Sequence, residues 1–382
     1  MACRSPAPRK GLTKSGSGCV AAVATGSYHT CALRTDGSVW CWGNNDYGQV
    51  WDPSVATRPS PTRVSLRARV IGITAGGSHT CAKKSNGTLW CWGENYYGEV
   101  GDGTTDSPKL IPFQVALLGE NATDVSLGAL HTCARKNDGT VWCWGYNYDG
   151  QLGLGVAGDS SVPVPSLVSA LPEGIAQVEA GAAHACARTE RGAVWCWGNN
   201  MLGQLGNGDT AESEPVPIES AALPSCVARI ATGAYHTCAL SEDGALHCWG
   251  SNDKGQLGAV PDGSPALGAK SVALADQVMS MDTGLQHTCA VSSVGALWCW
   301  GDNEFGQLGI GSNEAWSATP LELTTLGAQI VSVHTGYAHT CAVTTDKTLW
   351  CWGDNRFGQL GTGERDTVEP RPIPVTDLCD AR

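Results

Sequence analysis

His29-Thr30-Cys31-Ala32-Leu33-Arg34-Thr35-Asp36-Gly37-Ser38-Val39-Trp40-Cys41-Trp42-Gly43 decides the fold. Two β-prone runs flank a Thr-Asp-Gly turn cluster, and that pattern reads as a β-hairpin. A three-residue loop, built as a type I turn followed by a left-handed glycine, closes Arg34 against Ser38. Below that closure residue 33 faces 39, 32 faces 40 and 31 faces 41. Alternate pairs in such a ladder are not hydrogen-bonded, and Cys31 opposite Cys41 is one of them. Cα atoms in these pairs stand about 4.5 Å apart, within the reach of a disulfide. The ten-residue spacing therefore predicts a disulfide inside the hairpin.

Working outward, the string recurs seven times. Its first cysteine falls at Cys31, Cys81, Cys133, Cys186, Cys238, Cys289 and Cys341, and its second at Cys41, Cys91, Cys143, Cys196, Cys248, Cys299 and Cys351. Each hairpin has a short β-branched or small-residue run upstream, such as 20–25 or 330–335. Downstream, after a Gly-rich loop, comes a Pro-punctuated run such as 215–218 or 372–375. About four strands in roughly 50 residues is the size of one propeller blade. The expectation is an all-β chain: a flexible basic N-terminal tail over 1–17, then a single seven-bladed β-propeller over 18–382 with about four antiparallel strands per blade. Six copies place Gly at the left-handed turn position. The seventh has Lys347, so its turn is expected to differ.

The pattern Gly-x-x-His-Thr-Cys-Ala, then Asp-Gly-x-Val-Trp-Cys-Trp-Gly-x-Asn-x-x-Gly-Gln-Leu-Gly, resembles the regulator-of-chromosome-condensation repeat over residues 18 to about 378. The resemblance implies the seven-bladed fold. The family includes a nucleotide exchange factor for a small nuclear GTPase, a plant ultraviolet-B photoreceptor and a bacterial β-lactamase inhibitor, so the fold leaves function open. In the photoreceptor the sensing Trp follows the opening Gly in a Gly-Trp-Arg-His-Thr string. Here the residues before the His are Tyr28, Ser78, Leu130, Ala183, Tyr235, Gln286 and Ala338, and light sensing is not expected.

Composition excludes several functions. The 382 residues carry a formal charge of -12, and the first 17 residues hold Arg4, Arg9, Lys10 and Lys14 and no acid, which leaves the rest of the chain more negative still. A body this acidic repels phosphate backbones, so no nucleic-acid partner is expected. No apolar run is long enough to cross a bilayer as a helix. No Gly-x-Ser-x-Gly elbow, phosphate loop or His-Glu-x-x-His string is present, and the cysteine spacing is not that of a zinc ribbon. No metal and no cofactor are expected.

Positions repeated in every copy serve architecture. The seven His are expected to hydrogen-bond backbone at each blade's turn, and the alternate Trp, as in Trp40 and Trp42, to fill the space between blades. Cys19 and Cys226 hold the same place in their repeats, and closing a ring brings Cys19 to Cys379, a predicted clasp; Cys3 is left unassigned. Paired cysteines imply an oxidising compartment, so a secreted, periplasmic or cell-surface protein is expected, although Met1-Ala2-Cys3-Arg4-Ser5-Pro6 lacks the apolar run of a secretory signal.

Function belongs at positions that vary between copies. The pair before each His includes Tyr28, Leu130, Tyr235 and Tyr337, and in the family these positions lie around one face. The loop after each Trp-Gly offers Tyr96 and Tyr148, and Trp51 and Trp316 fall in predicted surface loops. These eight are the candidate partner-binding residues, of types that anchor interfaces. An enzyme has one opening: Glu179, Asp282 and His334 occupy equivalent positions two before the opening Gly, where a channel-lining hydrolase or lyase would place them. The leading expectation is a non-enzymatic monomer that binds a protein partner. Guanine-nucleotide exchange on a small GTPase is the alternative the resemblance implies.

Overall fold

The computed structural model describes residues 19–380, apart from 53, 159–160, 222, 224–225 and 313. The basic segment 1–17 and Cys3 lie outside the described residues. The chain forms seven four-stranded antiparallel sheets, each built from four consecutive strands. In blade 1 these are Val20–Thr25, His29–Arg34, Val39–Asn44 and Thr57–Val64. Blades 2 to 7 repeat the order, starting at Val70, Ala122, Ile175, Val227, Val278 and Ile330. The first strand of each blade lines the central channel and the fourth, which carries Pro in six of the seven blades, forms the outer edge, where a missing N–H costs no ladder bond.

The hairpin register is the one the spacing predicts. Leu33 pairs with Val39, Ala32 with Trp40 and Cys31 with Cys41, and the other six blades match. Seven hairpin disulfides result, with Cα atoms 4.1–4.2 Å apart. Cys19 is bonded to Cys379 across the chain ends, and Cys226 is also disulfide-bonded. The seventh turn does not differ from the others. Lys347 takes φ 67°, close to the 85° of Gly37, and keeps the turn bond from its N–H to the Thr344 carbonyl at 2.9 Å. The Lys347 carbonyl also accepts from Val20 N–H at 3.3 Å, as the Gly295 carbonyl accepts from Ile330 at 3.0 Å. Ring closure uses that carbonyl and holds the lysine in the left-handed conformation.

The histidines correct the expectation of a backbone partner. Six of the seven rings reach across the seam to a threonine of the next blade: His29 Nε2 lies 2.9 Å from Thr80 Oγ1, and His339 Nε2 lies 2.9 Å from Thr30 Oγ1, closing the circle. That threonine hydroxyl donates back to a backbone carbonyl of the histidine's own blade, Thr80 to Gln49 and Thr30 to Gln359. The same carbonyl also accepts from the buried Trp of the next blade, Trp92 or Trp42. Because the hydroxyl spends its hydrogen on the carbonyl, it accepts from the imidazole, which fixes the Nε2–H tautomer. Burial holds the seven imidazoles far below their ordinary value, at about 3 or 4, so they stay neutral. Trp42 and its six equivalents are buried between blades, while Trp40 is only half-buried on the same side.

Candidate functional site

In every blade the carbonyl of the residue before the His accepts from the first residue after the Trp-Gly: Tyr28 from Asn44 at 2.8 Å, Tyr235 from Ser251 at 2.9 Å, Ala338 from Asp354 at 2.9 Å. The two variable loop sets are thereby bonded together and share one face of the ring. At its centre the seven opening glycines frame a cavity of about 280 Å³. A Cβ on Gly26 would stand 2.5 Å from the Gly76 carbonyl oxygen and 2.3 Å from the His29 ring, so only glycine allows the blades to converge there.

All eight tyrosines of the chain lie in these two loop sets: Tyr28, Tyr235 and Tyr337 before a His, and Tyr47, Tyr96, Tyr97, Tyr146 and Tyr148 after a Trp-Gly. Seven of them, all but Tyr235, gather in two groups. Tyr28 packs against Tyr337 at 5.3 Å between ring centroids and against Phe357 at 5.1 Å. Tyr47 meets Tyr96 edge-on at 5.8 Å, Tyr97 meets Tyr146 at 4.4 Å, and Tyr146 stacks on Tyr148 at 6.2 Å. Tyr96 and Tyr148 are each 53% exposed, Tyr235 41% and Tyr337 37%. Leu130 is half-buried on the same face. Trp316 is exposed at the first position of the fourth strand of blade 6, and Trp51 is half-buried against the apolar cluster between blades 1 and 2.

Tyr47, Tyr97, Tyr146, Phe305 and Phe357 were not among the residues the sequence singled out. Four of them occupy the second variable position of Asn-x-x-Gly, one residue beyond Tyr96 and its equivalents, so reading that adjacent column across the copies finds them. Lys254 and Arg356 sit on this face, and each is already neutralised. Lys254 pairs with Glu304 at 2.6 Å and Asp302 at 3.6 Å. Arg356 grips Asp354 with two bonds of 2.9 Å and lies 4.5 Å over the Phe305 ring.

Glu179, Asp282 and His334 line the channel, and no hydrogen bond joins them among the described residues. Glu179 accepts from Ser126 at 3.0 Å and Gln177 at 2.8 Å. Asp282 accepts from the backbone of Thr335 at 2.8 Å and Thr283 at 3.0 Å, and His334 bonds Ser332 at 3.1 Å. Glu179 and Asp282 thereby tie their inner strands to a neighbouring blade, while His334 bonds within its own strand. Burial raises Glu179 to about 8 and Asp282 to about 6 and lowers His334 to about 4, so Glu179 and His334 are mainly uncharged near pH 7. Among the described residues no group of three or more His, Cys, Asp or Glu is placed to hold a metal ion.

Comparison with known proteins follows this architecture. Residues 108–382 match the description of an RCC1-like domain, and residues 20–49, 70–99 and 36–82 match the regulator of chromosome condensation (RCC1) repeat. The chain is 34% identical over 349 residues to the ultraviolet-B receptor UVR8 of Arabidopsis thaliana, covering 90% of this chain and 78% of that protein. The crystal structure of human WBSCR16 superposes with a TM-score of 0.81 at 24% identity, over 89% of this chain and 94% of that one. Prp20p of Saccharomyces cerevisiae, described with its binding to Gsp1p and histones, superposes at 0.75 with 24% identity, over 83% and 80%.

Proposed function

Because this chain belongs to the RCC1-like repeat family, we propose that it is a non-catalytic recognition propeller whose tyrosine-rich face docks a protein partner. The observation that carries the reading is the placement of every tyrosine, and two of the three phenylalanines, in the blade-specific loops of one face. Tyr presents a large amphipathic surface at low entropic cost and is enriched where interfaces desolvate. Structural positions repeat in this chain, whereas a partner is read by what varies, and the aromatic residues fall in the varying set. Binding of proteins by Prp20p supports the class of function but not its partners. The eight disulfides between described cysteines support a site of action in an oxidising compartment, at the cell surface or beyond.

The test is a quantitative binding comparison. A bait carrying Tyr28→Ala, Tyr235→Ala and Tyr337→Ala should recover a cross-linked partner at least tenfold less efficiently than the parent. A bait altered at the hairpin turns of the opposite face, Asp36→Ala with Asp138→Ala, should be unchanged. Equal recovery by both baits would place the docking surface elsewhere.

A further inference from the structure

In the blade 2 loop, at the seam where it meets Tyr47 of blade 1, one repeated polar contact is broken by two acidic replacements. Six blades carry Gln in the Gly-Gln loop: Gln49, Gln151, Gln204, Gln256, Gln307 and Gln359. Its carbonyl end accepts a backbone N–H two residues earlier, as Gln49 Oε1 does from Tyr47 at 3.0 Å. In four blades its amide donates to the side chain five residues earlier: Gln49 to Asn44 at 2.6 Å, Gln204 to Asn199 at 2.7 Å, Gln307 to Asp302 at 2.6 Å and Gln256 to Ser251 at 3.1 Å.

Blade 2 has Glu99 in place of the Gln and Glu94 in place of its acceptor. Glu99 keeps the backbone contact, accepting from Tyr97 at 3.0 Å through Oε2. Its Oε1 takes the amide's place, is fully buried, and has no hydrogen-bond partner among the described residues. Where four other blades set a donor against an acceptor, this one sets two acceptors together, and an unmatched buried acceptor is costly. Burial holds both carboxyls above their ordinary value, and no basic side chain lowers either.

The surroundings suit a positive group. Glu94 is half-buried and opens to the tyrosine face; its charge is the leading cause that holds the Tyr47 phenol above its ordinary range, and Tyr47 packs edge-on against Tyr96. Lys109, which pairs in register with Gly93 beside Glu94, is committed to Asp102 at 2.7 Å, and Lys254 and Arg356 are committed to Glu304, Asp302 and Asp354. We propose that this seam seats a lysine or arginine side chain presented by a basic segment of a protein partner. Glu94 is the counter-ion, Glu99 stands behind it, and Tyr47 and Tyr96 supply π-faces to the cation. The assignment rests on the reading of this face as a recognition surface and adds the chemistry of its partner.

The experiment is calorimetric titration of the full chain with tetralysine at physiological salt, using the Nε-acetylated peptide as control. Tetralysine should bind and the acetylated peptide should not. Glu94→Gln and Glu99→Gln should each weaken binding at least tenfold, the latter in a chain expected to fold because it installs the residue used by six other blades. Asp253→Asn, which removes an exposed acid from the blade 5 loop of the same face, should change affinity less than twofold. Equal affinity in the parent and both Glu variants overturns the proposal, as does an equal loss in Asp253→Asn or displacement of the peptide by calcium chloride alone. A partner lost by the triple tyrosine variant but retained by Glu94→Gln would overturn the cation site and leave the face reading standing.

Discussion

Glu179 shows how one side chain is set by its place in the ring. It projects from an inner strand, whose free edge faces the channel and whose N–H groups find partners on the preceding blade. Ala180 donates to Ser126 at 2.9 Å, and the Ser126 hydroxyl donates on to Glu179. The carboxyl is buried beside Asp124, which raises it from 4.5 to about 8. The folded chain therefore holds a proton that the unfolded chain releases. This stability is complete below about pH 4.5 and is lost as pH rises through 8. Glu179→Gln removes the titration, and the Ser126 hydroxyl can turn to accept from the new amide. The variant should match the parent near pH 4 and exceed it by about 2 kcal/mol or more near pH 9, read as a growing difference in thermal midpoint. A difference independent of pH would show that Glu179 does not titrate in this range. That three channel residues are acid, acid and imidazole was legible in the sequence. Their duties were not, because the partners that tie two of them to a neighbouring blade, Ser126 for Glu179 and Thr335 for Asp282, lie about 50 residues away in sequence.

Among elements, the hairpin was the most legible and the seam the least. A ten-residue cysteine spacing and a left-handed turn position fix the register of two adjacent strands through local geometry alone, and even Lys347 obeys it. The histidine's partner is a threonine on the following copy, a relation that no single repeat contains. Once known, it exposes an irregularity: blade 4 reads His184-Ala185-Cys186, so the seam between blades 3 and 4 lacks the bridging hydroxyl. His131 accordingly has neither ring nitrogen bonded among the described residues, while the Gln151 carbonyl accepts only from Trp197 at 2.9 Å. Ala185→Thr should supply the missing link in a backbone setting that six other blades already use. A neutral hydrogen bond that also satisfies a buried donor contributes about 1 kcal/mol. In a chain of this size the expected rise in thermal midpoint is about 1–2 °C, with no loss of cooperativity. A lower midpoint would mean that this seam is closer-packed than the other six.

At the scale of the whole molecule, the ring has six seams crossed by the chain and one that is not. Blades 1 and 7 meet through the same noncovalent set as their neighbours: His339 with Thr30, Trp42 with the Gln359 carbonyl, and Val20 with Lys347. What they lack is a peptide link, and the Cys19–Cys379 disulfide, spanning 360 residues, takes its place. Loop-closure entropy grows with the logarithm of the loop, so this bond restrains the unfolded chain more than any hairpin bond of separation 10. The expected contributions are about 5 kcal/mol or more for the clasp against about 3 kcal/mol for one hairpin. Replacing Cys19 and Cys379 together by Ser should therefore lower the urea midpoint more than replacing Cys31 and Cys41 together. It should also make the 7/1 seam the first site of proteolytic cutting, since opening there then costs only noncovalent contacts. The hairpin pair has the opposite signature, because its loss leaves the circle closed and loosens one blade. If both pairs of substitutions shift the midpoint equally and cutting stays distributed around the ring, the seven noncovalent seams alone hold the circle and the clasp adds nothing to it.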